Sequence, residues 1–507
     1  MSSNKKEWDK AIEKELEDLR SQQTWILTGL PSGRKALKGR WVYKTKLTKE
    51  GNIDKFKARW VVKGFLQKYG IDYTETFANT VKPMAYRLLF ALATYLDLEI
   101  QQWDIKSAFP NAPLDEEIYV IQPTGFEDKL FPQKVCKLQK ALYGLKQSAR
   151  QWYKHLCQLL GKLGFKPITS DQAIFVNLQK QMIVTSHIDD LLIFAKDINI
   201  IQELKSNLSK EVDISDLGSI SYYLGIEVNR NRKEKELVMS QTKFLRELLK
   251  KFGKEDLKPS KIPCIVNLRL DKHEGQASEQ HINLYQQQVG SLMYLMTNTR
   301  SDITFAVNQC ARYMSNPGPD HFKSLNYIWK YLLNSINYEL VFNNKEKPIL
   351  QGFADADWGG DYPTRKSTTG YVFTFGNTTT SWASKLQKTV ALSSCEAEYM
   401  ALKDAIKEYF WLNYIFDQIV MLSDFKSENI LFTDSQSAIA LAKNPEHHSR
   451  TKHIDIQYHF VRESIQDGKI LLKYLPTDMQ VADGLTKPLS PPKHKEFVER
   501  LGLRNKL

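Results

Sequence analysis

A chain of 507 residues is longer than one hydrophobic core usually organises, so roughly two to four domains are expected. A hydrophobic content of 42% with 11% aromatic residues excludes a disordered chain. The excess of 71 Lys and Arg over 58 Asp and Glu, +13 in all, points to a polyanionic partner, nucleic acid or an anionic membrane surface. No apolar run approaches a membrane span, and the opening Met1-Ser2-Ser3-Asn4-Lys5-Lys6-Glu7 does not read as a signal peptide. Cys136, Cys157, Cys264, Cys310 and Cys395 lie far apart without a Cys-x-x-Cys pair, which speaks against a cysteine zinc site and for a reducing, intracellular setting.

Residues 7–30 open on a helical pattern, Trp8, Ile12, Leu16 and Leu19, and reach the apolar run Trp25-Ile26-Leu27. The stretch 35–69 reads as strand-rich and basic, with Lys44, Lys46, Lys55, Lys57 and Arg59 among its cations and a turn at Gly51-Asn52. Trp41, Tyr43, Phe56, Trp60, Phe65 and Tyr69 are threaded through it. Cations for phosphates beside rings that stack on bases make a nucleic-acid groove; a hairpin whose polar face is merely basic would have the same composition. Residues 84–99 predict a buried helix, followed by a strand that ends at Asp104 with Phe109 five residues on. A helix opens after Leu142-Tyr143-Gly144 and runs to about residue 163; its first turn, Lys146-Gln147-Ser148, suits an anion.

From Met182 to Phe194 two short apolar runs flank Asp189 and Asp190, which predicts a hairpin with both acids at its tip. Two carboxylates so close repel, and a divalent cation with a preference for hard oxygen ligands, such as Mg²⁺, would offset that cost. A lone Asp-Asp is more often a solvent-facing turn, so the reading needs support from elsewhere in the chain. Residues 240–345 turn mainly helical, at 241–252, 282–296, 301–314 and 318–334, with a linker around Pro259, Pro263 and 271–280. From 349 strands are expected at 349–354, 369–375, 379–383 and 390–393, then a long helix over about 396–420 with an apolar stripe at Leu402, Ile406 and Phe410. A strand at 429–433, two helices and a strand at 469–475 follow, which together predict an α+β domain with its own core.

Four acids of this last part fall at element ends: Asp355 after a strand, Glu398 entering the long helix, Asp434 ending a strand and Asp483 opening a terminal helix. Each alone is an ordinary capping or surface residue. Together, four carboxylates could hold two metal ions that activate water against a phosphodiester. Asp357 and Glu396 are rivals for two of these positions, and spacing does not separate them. The segment His447-His448-Ser449-Arg450-Thr451-Lys452-His453 reads better as a basic loop against nucleic acid than as a zinc site, because it has neither cysteine nor a second pair of ligands.

With these residues in view, the chain from Glu7 to about Leu489 resembles the reverse transcriptase–ribonuclease H portion of a copia-type retrotransposon Pol polyprotein. The resemblance rests on Trp41-Val42-Tyr43-Lys44, Lys57-Ala58-Arg59, Asp104-Ile105-Lys106-Ser107-Ala108-Phe109, Leu145-Lys146-Gln147-Ser148, Ile188-Asp189-Asp190 and Tyr223-Leu224-Gly225-Ile226. It continues through Val289-Gly290-Ser291-Leu292, Thr299-Arg300, Asp355-Ala356-Asp357-Trp358, Glu396-Ala397-Glu398-Tyr399, Thr433-Asp434-Ser435-Gln436, 450–455 and 482–488. It implies an α+β multidomain fold: right-hand polymerase fingers and palm over 1–235, a mainly helical thumb and connection over 236–345, a ribonuclease H-like domain over 346–490 and a C-terminal tail at 491–507. By the same resemblance Asp104, Asp189 and Asp190 would hold two Mg²⁺ ions for DNA synthesis, and Asp355, Glu398, Asp434 and Asp483 two more for cleaving RNA in hybrids, Mn²⁺ being the alternative metal. Glu398 is preferred over Glu396 because Glu398-Tyr399-Met400-Ala401 fits the family's helix start.

Arg59 with Lys44 or Lys46 would brace the triphosphate, Phe109 would be the steric gate against a 2′-hydroxyl, and Gln147 would help position the nucleotide. The implied partners are an RNA template, a DNA primer, RNA–DNA hybrid and dNTPs, with no membrane. The implied location is cytoplasmic, in virus-like particles, with the nucleus as the alternative. The sequence departs from the family pattern at His187, where tyrosine is usual, and at Pro110, Ala112, Ala149 and Ser301. None is a proposed ligand. They suggest drift from a mobile ancestor, and they leave two rival readings: a non-catalytic nucleic-acid-binding remnant, and a nuclease gripped by a dead polymerase. No Asp-Ser/Thr-Gly protease motif and no His/Cys integrase pattern occurs, so the chain reads as one fragment of a longer polyprotein.

Overall fold

The computed structural model describes residues 4–47, 52–266, 268–343, 345, 348–419, 428–443 and 455–506, with Leu47 and 455–458 described by backbone alone. The expected turn glycine Gly51 and the His447–His453 loop lie outside the described residues. Contacts divide the chain into two units, Met1–Val81 with Ile100–Gly218, and Lys82–Glu99 with Ser219–Leu507. Among the described residues, no helix is long and apolar enough to cross a membrane.

In the first unit, alternation sorts the basic hairpin into two unlike faces. The strands Gly39–Leu47 and Ile53–Val62 pair antiparallel with Val42 opposite Arg59, Lys44 opposite Lys57 and Lys46 opposite Lys55. Directly opposed residues share a face, and side chains two apart share it too, so Arg40, opposite Val61, and these five cations line one side. Trp41, Tyr43, Phe56, Ala58 and Trp60 therefore take the other. There Trp8, on the helix Lys5–Ser21, meets Tyr43 and Phe56, while Trp41 packs on Trp60 and Phe126. The hairpin's rings thus do not lie beside its cations; they anchor the hairpin. Burying a ring such as Trp60 contributes about 2–3 kcal/mol, more than the few tenths to 1 kcal/mol of an exposed cross-strand pair, and so fixes which face turns inward. Phe65 and Tyr69, in the following loop, stay exposed.

A six-stranded sheet carries the rest of the unit, in the order Ile214–Ser219, Glu99–Ile105, Asp190–Ala195, Met182–His187, Ile174–Asn177, Lys166–Pro167. Its central strands are apolar along their length because a helix layer covers them. Trp152, Leu156, Leu159 and Leu160 of the helix Ser148–Lys162, with Ile201, Leu204 and Leu208 of the helix Ile198–Leu208, form one core with Trp103, Val184, Leu191 and Ile193.

The second unit begins with the helix Pro83–Tyr95, shorter than the expected 84–99: Asp97 turns the backbone left-handed (φ 52°), and Glu99 already belongs to a strand. Helices Thr242–Lys251, Glu279–Asn298, Thr304–Ala311 and Pro319–Asn334 form the expected helical region, with a 3₁₀ turn at Ser301–Ile303 opening the third. They share a core that includes Leu248, Val289, Leu292, Val307, Leu325 and Trp329. Beside them an antiparallel sheet joins Tyr222–Tyr223, Ile226–Asn231, Glu236–Ser240, Tyr338–Asn343 and Leu503–Asn505. Residues 491–505 are therefore folded, as the helix Pro491–Arg500 and a closing strand. The strand at 338–343 escaped the sequence reading because its pairing partners lie about a hundred residues before it and some 160 after.

The last sheet runs in the order Thr378–Leu386, Thr368–Phe375, Leu350–Ala356, Ile430–Thr433, Leu471–Tyr474, antiparallel across the first three strands and parallel across the last two contacts. The helix Ser394–Gln418 covers it through Leu402, Ala405, Ile406 and Tyr409, with Phe410 only half-buried at the margin. The strand expected at 390–393 does not form. Instead Ser393 caps this helix, its hydroxyl accepting from the Glu396 N–H at 3.2 Å, while the Leu392 N–H donates to the Glu396 carboxylate at 2.7 Å.

Candidate active sites

Asp189 and Asp190 differ in position: Ile188-Asp189 is the two-residue turn, and Asp190 is the first residue of the return strand, opposite His187. Ile188 has φ +62°, a costly conformation for a β-branched residue, and both turn carbonyls are tied down. The Trp152 indole donates to the Ile188 carbonyl at 2.7 Å, and the Ile105 N–H to the Asp189 carbonyl at 2.9 Å. The second bond sets the end of the Asp104 strand beside the turn. The electrostatics agree. Burial, then Asp189 and Asp104, push the Asp190 carboxyl up to about 6, against a hydrogen bond from Gln102. The Asp104 carboxyl is raised by burial and by Asp189, opposed by Lys57, Lys46 and Arg59 from the basic face of the hairpin.

The nucleotide-binding candidates separate. Lys44 and Lys46 are exposed on the basic face, and Arg59 lies over the Tyr143 ring at 4.4 Å. Phe109, on the short helix Ala108–Asn111, packs against the same Tyr143 at 5.1 Å. Gln147 is fully buried with its amide committed: it donates to the Asp72 carbonyl at 2.8 Å and to Glu116 at 3.2 Å, and accepts from Gln67 at 3.0 Å. The helix start expected to face an anion is likewise closed by the chain, the Lys146 N–H donating to Gln67 and the Ser148 hydroxyl to the Leu142 carbonyl. Gln147 therefore steadies the 67–72 loop. The sequence reading passed over Lys57 as a ligand, although its spacing from Arg59 already put both on one face.

In the second unit four separate elements converge. Asp355 lies near the end of the strand Leu350–Ala356, Asp434 directly follows Ile430–Thr433, Glu398 is on the first turns of Ser394–Gln418, and Asp483 is in the 3₁₀ turn Val481–Leu485, not at the head of the terminal helix. Among the described residues, Asp355, Asp434 and Asp483 are the one group of three His, Cys, Asp or Glu whose ligand atoms all lie within 4.8 Å of each other. Asp104, Asp189 and Asp190 do not meet that spacing. Burial, then Asp355 and Asp434, hold the Glu398 carboxyl well above its ordinary range, so Glu398 lies within electrostatic reach of these acids but outside the group of three. Asp355 is raised by burial and by Asp483, and opposed by the Thr486 hydroxyl, which donates to it. The Thr477 hydroxyl donates to Asp434 at 2.7 Å. The rivals are engaged elsewhere: Glu396 in the helix cap, and Asp357 with the Thr368 N–H.

A hard divalent cation fits this centre. The donors are carboxylate oxygens, and Glu398 Oε2 is buried without a hydrogen-bond partner. Packing makes room for the arrangement at Gly370, opposite Asp355 in register, where a Cβ would lie 2.8 Å from Thr486 Cγ2 and 3.0 Å from the Ala482 carbonyl. Lys487, unassigned from sequence, pairs with Asp483 at 2.9 Å. Its signal was there: Thr486 and Lys487 stand three and four residues after Asp483, one helical turn on.

The reverse transcriptase (RNA-dependent DNA polymerase) family matches residues 22–266. The retrovirus-related Pol polyprotein from transposon TNT 1-94 of Nicotiana tabacum is 40% identical over 504 residues, 98% of this chain and 38% of the relative. The corresponding polyprotein from transposon RE1 of Arabidopsis thaliana is 34% identical over 499 residues, 98% of this chain and 34% of the relative. A truncated transposon Ty1-A Gag-Pol polyprotein of Saccharomyces cerevisiae is 27% identical over 457 residues, 85% of this chain and 37% of the relative. The chain thus spans little more than a third of the length of these relatives.

Proposed function

We propose that this chain, which belongs to the copia-type retrotransposon Pol polyproteins and carries their reverse transcriptase domain, copies RNA and DNA templates at Asp104, Asp189 and Asp190 and cleaves RNA in RNA–DNA hybrids at Asp355, Glu398, Asp434 and Asp483. The division into fingers and palm at 1–235, thumb and connection at 236–345 and a ribonuclease H-like part at 346–490 belongs to the same proposal. The observation that carries it is the opposition of charges in the first unit: a hairpin face of six cations, with like charges opposed across the strands, of which Lys57, Lys46 and Arg59 act on Asp104. Such a face is destabilising by itself and is relieved by a polyanion. Mg²⁺ held by each group of carboxylates would supply the charge that activates an attacking hydroxyl and neutralises the leaving oxygen.

The chain's own groups do the rest. Lys57, Lys46 and Arg59 hold the triphosphate over the acids, with Lys44 further out along the same face. Phe109, braced by Tyr143, closes the space beneath the sugar and favours deoxynucleotides. Gln147 acts through the 67–72 loop. In the late centre Thr477 and Thr486 orient Asp434 and Asp355. The test is extension of oligo(dT) on poly(rA) with Mg²⁺ and dTTP, run beside cleavage of a labelled RNA–DNA hybrid. We expect both activities, with EDTA abolishing each.

One observation favours the rival reading of a non-catalytic, nucleic-acid-binding remnant. His187, opposite Asp190, stands where the family pattern has tyrosine. Extension by a His187→Tyr variant but not by the native chain would support that remnant. Extension by neither, with hybrid cleavage intact, would reduce the chain to a nuclease.

A further inference from the structure

We propose that Lys487 is a built-in counter-ion of the late acidic centre, a positioning residue that takes one cation's share of the carboxylates and thereby limits how tightly divalent metal binds there. The inference rests on the reading of Asp355, Glu398, Asp434 and Asp483 as a metal centre. Lys487 Nζ lies 2.9 Å from Asp483 Oδ1, and Asp355 and Asp434 are the next charges it faces. Its side chain is 45% exposed, whereas that of Asp483 is only 12% exposed, so the ammonium enters the centre from the solvent side. The other groups of the centre are served without a cation: Thr486 and Thr477 each donate to one aspartate, while Glu398 Oε2 has no hydrogen-bond partner.

Three carboxylates within 4.8 Å of each other, two of them buried, repel, and one ammonium offsets part of that repulsion without a metal. The same charge repels a divalent ion brought to the same oxygens. Lys487 therefore has opposite effects on the metal-free and metal-loaded forms. A side chain that served packing alone would lower stability and metal affinity together.

The experiment uses the full chain in an Asp190→Asn background, so that Mn²⁺ titration followed by electron paramagnetic resonance reports the late centre. Lys487→Met keeps the stem and removes the charge. We expect its melting temperature in EDTA to fall, its Mn²⁺ affinity to rise about tenfold, and its Mn²⁺-induced stabilisation to exceed that of the parent. Lys487→Arg should behave as the parent does. Equal Mn²⁺ affinity in parent and Lys487→Met, or weaker binding in the variant, overturns the inference and leaves the metal centre standing. If an Asp355→Asn control binds Mn²⁺ as the parent does, the metal-centre reading fails, and this inference with it.

Discussion

Asp189 and Asp190 are neighbours in the chain, and their group needs one further carboxylate, Asp104, from the adjoining strand; Asp355, Glu398, Asp434 and Asp483 come from four separate elements. The early group stays half-exposed and meets cations from a separate hairpin, Lys57, Lys46 and Arg59. The late group is drawn within 4.8 Å across three of its members, and Lys487, one turn from Asp483, pairs with it at 2.9 Å. A centre built on a turn depends on how that turn is tied, whereas a centre built across a sheet depends on how closely the elements pack. The first should be fragile to hydrogen-bond loss, the second to added volume.

The sharpest way to break this comparison is to remove one ligand from each side. Asp189→Asn should lower primer extension on the order of a thousandfold and leave hybrid cleavage unchanged, and Asp355→Asn should do the reverse. Equal loss of both activities from either variant would mean that the two groups do not act separately. Next in size is Gly370→Ala, whose methyl group would push on Thr486 and the Ala482 carbonyl. We expect a loss of about 1–3 kcal/mol in urea denaturation and a clear fall in hybrid cleavage, with extension spared.

Trp152→Phe tests the other mode of failure. It keeps most of the ring but leaves the Ile188 carbonyl without its indole donor, for a cost of about 1 kcal/mol. Primer extension should fall several-fold while hybrid cleavage holds. Intact extension would show that the indole bond does not keep the turn in its working geometry.

A buried carboxyl outside both groups carries an effect on stability alone, with neither activity changed. Glu15 accepts from the Trp60 N–H at 3.3 Å, within electrostatic reach of Arg59 and Lys57, and burial pushes its carboxyl from 4.5 up to about 7. A carboxyl raised on folding binds its proton more tightly in the native state, so its contribution is lost as pH climbs from 4.5 through 7. Glu15→Gln removes that titration. The stability difference in favour of the variant should therefore grow between pH 5 and 8, by about 2 kcal/mol at most. A difference that is flat with pH would mean that Glu15 titrates normally.

Much of this was legible beforehand because it is local. Period 3.6 marked the helices from Lys5–Ser21 to Ser394–Gln418, period 2 marked the basic hairpin, and the apolar runs around Asp189-Asp190 marked the buried strands. Leu392 tempted a strand reading at 390–393 because β propensity is local, yet the cap made by Ser393 and Glu396 prevailed. Gln147 looked like a ligand because a sequence does not reveal that Gln67, Asp72 and Glu116 already satisfy its amide.

The sequence by itself determined most element types, the family resemblance and the short set of acids proposed as ligands, since periodicity and motif spacing are written in neighbouring residues. Only the tertiary structure decided that the hairpin's cations and rings part to opposite faces, that Glu398 comes within electrostatic reach of Asp355 while Glu396 caps a helix, and that Lys487 pairs with Asp483. Each of those outcomes depends on which distant segment packs against a given side chain, and burial and charge act through space, not along the chain.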